Sequence, residues 1–268
     1  MRPVRTISVA AAALAISVGT AFSADVIEPP IYQPPPEVVP VSVGGWYLRG
    51  DIGYAHMQTH DVRYFQGTNF TGRFEKHDFS STWMIGGGIG YQATDYFRVD
   101  ATLNHYFETD FEGSSATGAA CNGAGVAGEI CNFEDNAEVN VTTLMANAYF
   151  DLGNFKGITP YVGAGIGGAY VHWGDLFNDE TCILNCGAYV EQDATHSGYQ
   201  EWHFAWALHT GLTYDYSSNI KFDLGYSYTH IEGGRMFAFA AGGGSGPQGF
   251  NDDIKIHEVK AGLRYSFH

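Results

Sequence analysis

The chain has 268 residues, with 13 Lys and Arg against 29 Asp and Glu for a formal charge of −16, and it is rich in Gly (35), Tyr (17) and Phe (18). So acidic a surface repels phosphate backbones, which excludes a nucleic-acid binder on electrostatic grounds. Glycine and aromatics at this level point to many strands, and after the first two dozen residues no apolar run reaches the ~18 residues of a membrane helix, which excludes a helical membrane protein but not a β-barrel.

The opening "MRPVRTISVAAAALAISVGTAFSADV" places Arg2 and Arg5 before the short apolar stretch Thr6 to Gly19 and ends it on Ala21-Phe22-Ser23. That order predicts a secretory signal peptide over residues 1–23, cut after Ser23; a cut after Ala24 would put bulky Phe22 at the −3 position. Its loss removes two arginines and no acid, leaving 11 basic and 29 acidic residues and a charge of −18. Residues 24–44 follow, with Pro29, Pro30, Pro34, Pro35, Pro36 and Pro40. Prolines at this density lack backbone donors and favour extended geometry, so a periplasmic linker is expected there.

From Gly45 the period is two. Trp46, Leu48, Ile52 and Tyr54 share one face and Tyr47, Arg49 and Asp51 the other, and the pattern returns in "FRVDATLNHYF", "KFDLGYSY" and "EVKAGLRYSF". The polar face mixes both signs of charge with glycine, and the apolar face ends in aromatics. That suits a wall with lipid outside and a polar interior better than a soluble sandwich. Eight strands are predicted: Gly45–Met57, Ser81–Gln92, Tyr96–Asp110, Ala137–Asp151, Thr159–His172, Gln200–Tyr216, Ile220–Ile231 and Ile254–Phe267. Short connections ("ATD", "LGNFKGI", "SSN") alternate with long ones (Gln58–Ser80, Phe111–Asn136, Trp173–Tyr199, Glu232–Asp253). Tight periplasmic turns opposite long external loops are the asymmetry of an outer-membrane barrel, and an even strand count leaves both ends in the periplasm. The fold class expected is therefore all-β, an eight-stranded antiparallel transmembrane barrel over residues 45–268.

"YVGAGIGGAYV" carries Gly163, Gly165 and Gly168 in the order of a dinucleotide-binding loop, but more strand follows instead of a helix. Gly163, Gly165 and Gly167, like Gly86, Gly88 and Gly90, share one parity and read as inward gaps for long charged side chains from neighbouring strands.

"GGWYLRGDIGY", "GYQATDYFRVDATL", "ANAYFDLG" with "ITPYVGAGIGGAYV", "SSNIKFDLGYSY" and "HEVKAGLRYSF" together resemble the small porin-like outer-membrane β-barrel proteins of rhizobia and related alphaproteobacteria. The resemblance runs in order from Gly45 to Phe267. It implies an outer-membrane barrel of the kind described as surface antigen, envelope-integrity protein and, in some relatives, haemin binder or adhesin. Such barrels end on an aromatic read by the outer-membrane assembly machinery; here Phe267 fills that role, one place before His268, whose removal is expected to leave the yield of folded barrel unchanged.

Nine charges are expected to face inward: Arg49, Asp51, Arg98, Asp100, Lys221, Asp223, Glu258, Lys260 and Arg264. An eight-stranded lumen is just wide enough for side chains, so these charges pair into a plug or, alternatively, line a narrow channel for small solutes or ions. Cys121, Cys131, Cys182 and Cys186 fall in predicted external loops. In an exported chain they read as disulfides, the local pairing 121–131 with 182–186 closing the shortest loops; a zinc site is the alternative. His56, His60 and His77 near one loop, and His172, His196 and His203 near another, raise a haem site, against which no spacing sets two ligands on one rigid element. His203, His209 and Ser227 share a parity, but no nucleophile elbow is present, so no enzyme, resident cofactor or structural metal is expected. The expected partners are outer-membrane lipid and lipopolysaccharide, the assembly machinery, and a host-surface or envelope partner reached by the loops.

Overall fold

The computed structural model describes residues 44–267 apart from 67–69, 122–127, 188–189, 191–192 and 243–245. The expected signal peptide, almost all of the proline-rich segment, and His268 lie outside the described residues.

Eight long antiparallel strands close on themselves: β1 (Gly45–His60), β2 (Ser81–Gln92), β3 (Phe97–Ala120), β4 (Ile130–Asp151), β5 (Ile158–Trp173), β6 (Gln200–Asp215), β7 (Ile220–Glu232) and β8 (Asp253–Ser266). Each pairs with its neighbours in chain order, and β1 pairs with β8, from Tyr47 opposite Ser266 to His60 opposite Asp253. Closure leaves no sheet edge within the ring, so each strand's ladder hydrogen bonds are met by its two neighbours, as a span through lipid requires. Beyond the last barrel strand, Phe267 donates its N–H to Trp46 O at 2.9 Å, fastening the chain end to its beginning.

Alternation sets the two faces. Along β1, Tyr47, Arg49, Asp51, Ala55 and Met57 are buried while Trp46, Leu48, Ile52 and Tyr54 are exposed. Large apolar side chains cover the outside of every strand, among them Ile85, Ile89, Leu103, Leu144, Ile166, Leu208, Leu224 and Leu263. Near the short turns this belt becomes aromatic, with Trp46, Tyr91, Tyr96, Phe150, Tyr214, Phe222 and Tyr265; near the long connections it ends in Tyr54, Trp83, Phe107 and Trp202. Two aromatic girdles around an aliphatic band are what a bilayer with polar interfaces selects.

The long connections depart from expectation. They carry strands of their own, and β3 and β4 run well past their predicted ends, to Ala120 and back to Ile130. The parity responsible was present in the sequence: Phe133, Asp135, Ala137 and Val139 turn inward while Glu134, Asn136 and Glu138 turn outward into water. The strand Leu176–Leu184 pairs with this extension of β4, and Lys76–Phe79 pairs with that of β3. Separately, Arg63–Gln66, Phe70–Arg73, Arg235–Ala238 and Pro247–Phe250 form a four-stranded sheet joining the first long connection to the fourth.

Candidate functional site

The barrel interior divides into two halves. Toward the short turns it is polar. Arg49 donates to both oxygens of Asp51 at 2.8 Å and, through Nη1, to Asp100 Oδ2 at 2.8 Å. Asp100 also accepts from Tyr47 OH at 3.1 Å and from Asn147 Nδ2 at 2.8 Å. Arg264 holds Asp223 and Thr213. Arg98, 1% exposed, donates through Nε to Asp151 at 3.1 Å, and its guanidinium lies 4.3 and 4.7 Å from the ring centroids of Tyr149 and Tyr161. Its terminal nitrogens find no hydrogen-bond acceptor among the described residues, so the two aromatic faces supply stabilisation that acceptors would otherwise give.

Of the nine expected inward charges, eight are buried; Lys221 is half-buried at the mouth, 2.8 Å from Asp215. Glu258 accepts from Tyr106 OH at 2.9 Å and from Ser227 Oγ at 3.1 Å. Lys260 stands opposite Gly53 and Gly225 and has no ion-pair partner among the described residues. Sequence reasoning placed Tyr47 on the inward face with Arg49 and Asp51 but gave it no role, and it missed Asp151 and Asp215, both at strand ends where turn and wall are hard to separate. It also missed Tyr149, whose inward parity on β4 is a signal that could have found it.

The glycine reading needs a correction. A Cβ on Gly90 would overlap the Tyr47 ring, one on Gly163 the Tyr149 ring, and one on Gly165 the Asn147 amide, so the gaps in β2 and β5 admit aromatic and amide groups. Only on β1 and β8 do glycines clear charged groups, Gly53 for Glu258 and Gly262 for Asp51.

Toward the long connections the interior is apolar, which the charge pattern did not foretell. Ala55, Met57, Met84, Val139, Val141, Val171, Ile231, Ile254 and Ile256 are buried there in one cluster with Phe74, Phe79, Phe111, Trp173 and Phe237, the long connections adding their own apolar side chains. Phe111 and Trp173 meet edge-on with centroids 5.7 Å apart. At the opposite end a vestibule of about 550 Å³ is open, lined by Asp95, Asp151, Asp215, Lys221 and Arg264 among others. Polar side chains thus line the short-turn half, and packed apolar side chains fill the half toward the long connections.

Past the barrel, the outward face of the extended sheet is acidic. Asp110 lies directly opposite Glu138, Asp78 opposite Glu112 and Glu134 opposite Asp179, and none of the six forms an ion pair with a described residue. Like charges directly opposed repel. A groove of about 340 Å³ beside them has Phe111, Ala137 and Phe177 in its lining. On the inner side Tyr64 packs edge-on against Phe74; burial first, then the carboxylates of Asp135 and Glu75, raise its phenol above the ordinary value.

Cys121 is bonded to Cys131, and Cys182 to Cys186. The histidines are dispersed. His56 faces outward against Ser81, His172 contacts Asn140 and Gln200, and His196 donates to Ala238 O. His209 pairs with Asn147 and Ser227 with Glu258, so neither serves the other although they are register partners. Among the described residues, the one trio of potential metal-ligating atoms within 4.8 Å of one another is the Sγ of Cys121, Cys131 and Cys182, all committed to disulfides.

Residues 9–267 match the family model described as outer membrane protein beta-barrel domain. The chain is 33% identical to an uncharacterized protein of Brucella abortus (strain 2308), over 97% of this chain and 98% of that protein. It is 29% identical, over 82% of this chain and 87% of the other, to a Rickettsia bellii (strain OSU 85-389) protein whose name includes the word adhesin. It is 30% identical to the outer membrane protein PagN of Salmonella typhimurium over 54% of this chain and 56% of PagN. Among solved structures it is similar to Neisserial surface protein A, at 13% identity and a TM-score of 0.46, covering 83% of this chain and 97% of that one.

Proposed function

The chain belongs to the outer-membrane β-barrel family, and from that premise we propose that it works at the cell surface as a loop-mediated interaction protein, with its long connections outside and its short turns and both termini in the periplasm. The observation that carries the reading is the sealed outer half of the barrel. Met57, Met84, Ile231, Ile254 and Ile256 fill the lumen where a pore would need water. The same side chains anchor the long connections, which are built as paired strands and pinned by two disulfides. Ordering them in advance lowers the entropic cost of meeting a partner. The name of the Rickettsia relative agrees with surface contact, and the acidic outer face sets the charge such a partner has to match.

The test is adhesion of bacterial cells displaying the barrel to immobilised host-cell surfaces and to isolated envelope fractions. Binding is expected to saturate, and to fall when Asp110, Glu112 and Glu138 are changed together to Asn, Gln and Gln with surface display unchanged. Binding no stronger than that of cells lacking the barrel would overturn the proposal.

A narrow porin is the second reading, supported by the open vestibule beneath the seal. Reproducible unitary currents from the purified barrel would favour it.

A further inference from the structure

The two disulfides form one sulfur cluster. Cys131 on β4 and Cys182 on the strand Leu176–Leu184 are directly opposed in the antiparallel register, and the Sγ atoms of Cys121, Cys131 and Cys182 all lie within 4.8 Å of one another. Their access to solvent differs. Cys121 and Cys131 are buried with Phe133, Cys182 is half-buried, and Cys186 is exposed, two residues past the end of the strand Leu176–Leu184. A buried inner bridge therefore sits against an outer bridge that solvent reaches.

We propose that Cys186 is a capture site for accessible thiols, with the buried bridge as the acceptor that makes capture last. An incoming thiolate attacks Cys186 Sγ; a mixed disulfide forms, the Cys182–Cys186 bond breaks, and its electron pair leaves on Cys182. The Cys182 thiolate then attacks Cys131 Sγ. The Cys131–Cys182 bond forms, the Cys121–Cys131 bond breaks, and Cys121 takes the electron pair and the proton that the incoming thiol lost. Two S–S bonds exist before and two after, so no external oxidant or reductant is consumed.

The second step decides the outcome. Without it Cys182, four residues from Cys186, would attack the mixed disulfide and expel the captured thiol. Opposed residues of an antiparallel pair have Cα atoms about 4.5–5.5 Å apart, inside the usual disulfide range, so the new cross-strand bridge forms without moving either strand. Small thiols and cysteines on protein surfaces share the required chemistry. The inference rests on the cysteine geometry alone and not on the orientation or adhesive role proposed above.

The experiment incubates the purified full-length barrel, refolded in detergent, with glutathione at about pH 8, near the ~8.5 pKa of a free thiol. After an acid quench and alkylation, peptides are mapped without reduction. The expected products are a Cys131–Cys182 cross-link, glutathione on Cys186 and an alkylated Cys121. A second arm replaces glutathione with a folded protein bearing one surface cysteine; a covalent adduct there extends the class from small to protein thiols. In C121S/C131S, with the acceptor gone, the Cys186 adduct is expected to fall roughly tenfold as Cys182 closes back on Cys186. The proposal is overturned if the wild-type chain keeps Cys121–Cys131 intact, if neither thiol is captured, or if the double variant, folded by heat modifiability, retains as much adduct as wild type.

Discussion

Arg264 grips Asp223 with two parallel hydrogen bonds, Nε to Oδ2 at 2.6 Å and Nη2 to Oδ1 at 2.9 Å, while Thr213 contacts both. Both side chains are buried, 3% and 4% exposed. Removing one partner leaves the other charged in a place that solvates it poorly, at a cost of about 3 kcal/mol. Asp223→Asn should therefore lower the unfolding free energy in lipid vesicles by that order. Asp215→Asn, which breaks the half-exposed pair with Lys221, should cost less than about 1 kcal/mol. Urea titrations followed by gel mobility give both values, and equal losses would remove the distinction between interior and mouth.

A Cβ at Gly165 would overlap the Asn147 side chain, and Ala164 beside it faces outward. Gly165→Trp should abolish or greatly slow refolding, whereas Ala164→Trp should refold at close to the wild-type yield. The heat-modifiable fraction after dilution from urea into detergent decides it.

Trp46, Trp83 and Trp202 are exposed on the outer wall and Trp173 is buried in the apolar cluster. In single-tryptophan variants, brominated lipid should quench the three outer tryptophans strongly and Trp173 weakly. Quenching of Trp173 equal to that of Trp83 would reverse the assignment of outside and inside.

Planar-bilayer recordings from the purified barrel should show no reproducible unitary currents, and Arg98→Gln should create none, because the obstruction is the packed half and not the charge cluster. Currents that change with Arg98 would place the barrier at the charges instead.

How legible was this protein in its sequence? The wall was nearly all there, because alternation such as Trp46-Tyr47-Leu48-Arg49 reports a lipid face and a polar face directly. Strand pairing follows from chain order once turns and loops alternate. Two things were hidden. Ala55, Met57, Ile254 and Ile256 are apolar residues on the inward parity, and a period of two marks a face without saying what fills the space it looks into. The second is the β-structure of the long connections, where strands of four residues such as Arg63–Gln66 and Pro247–Phe250 are too short to show a period, and the pairing that joins them into one sheet, Arg63 with Phe250 and Tyr64 with Gly249, spans nearly two hundred positions. The candidate site suffered in the same way: the four cysteines were readable as a set, but the opposition of Cys131 to Cys182 exists only in the register.

The four-stranded sheet that pairs Arg63 with Phe250 and Tyr64 with Gly249 lies where the first and last barrel strands meet. At the other end of that seam, Phe267 bonds to Trp46. Residues from the two ends of the barrel domain are thus buttoned together above and below the wall. An antibody that recognises this surface would read a composite epitope, and a peptide copying either connection alone would lack half of it. Insertions in one connection would have to be answered in the other, so the first and fourth loops can diversify only as a pair.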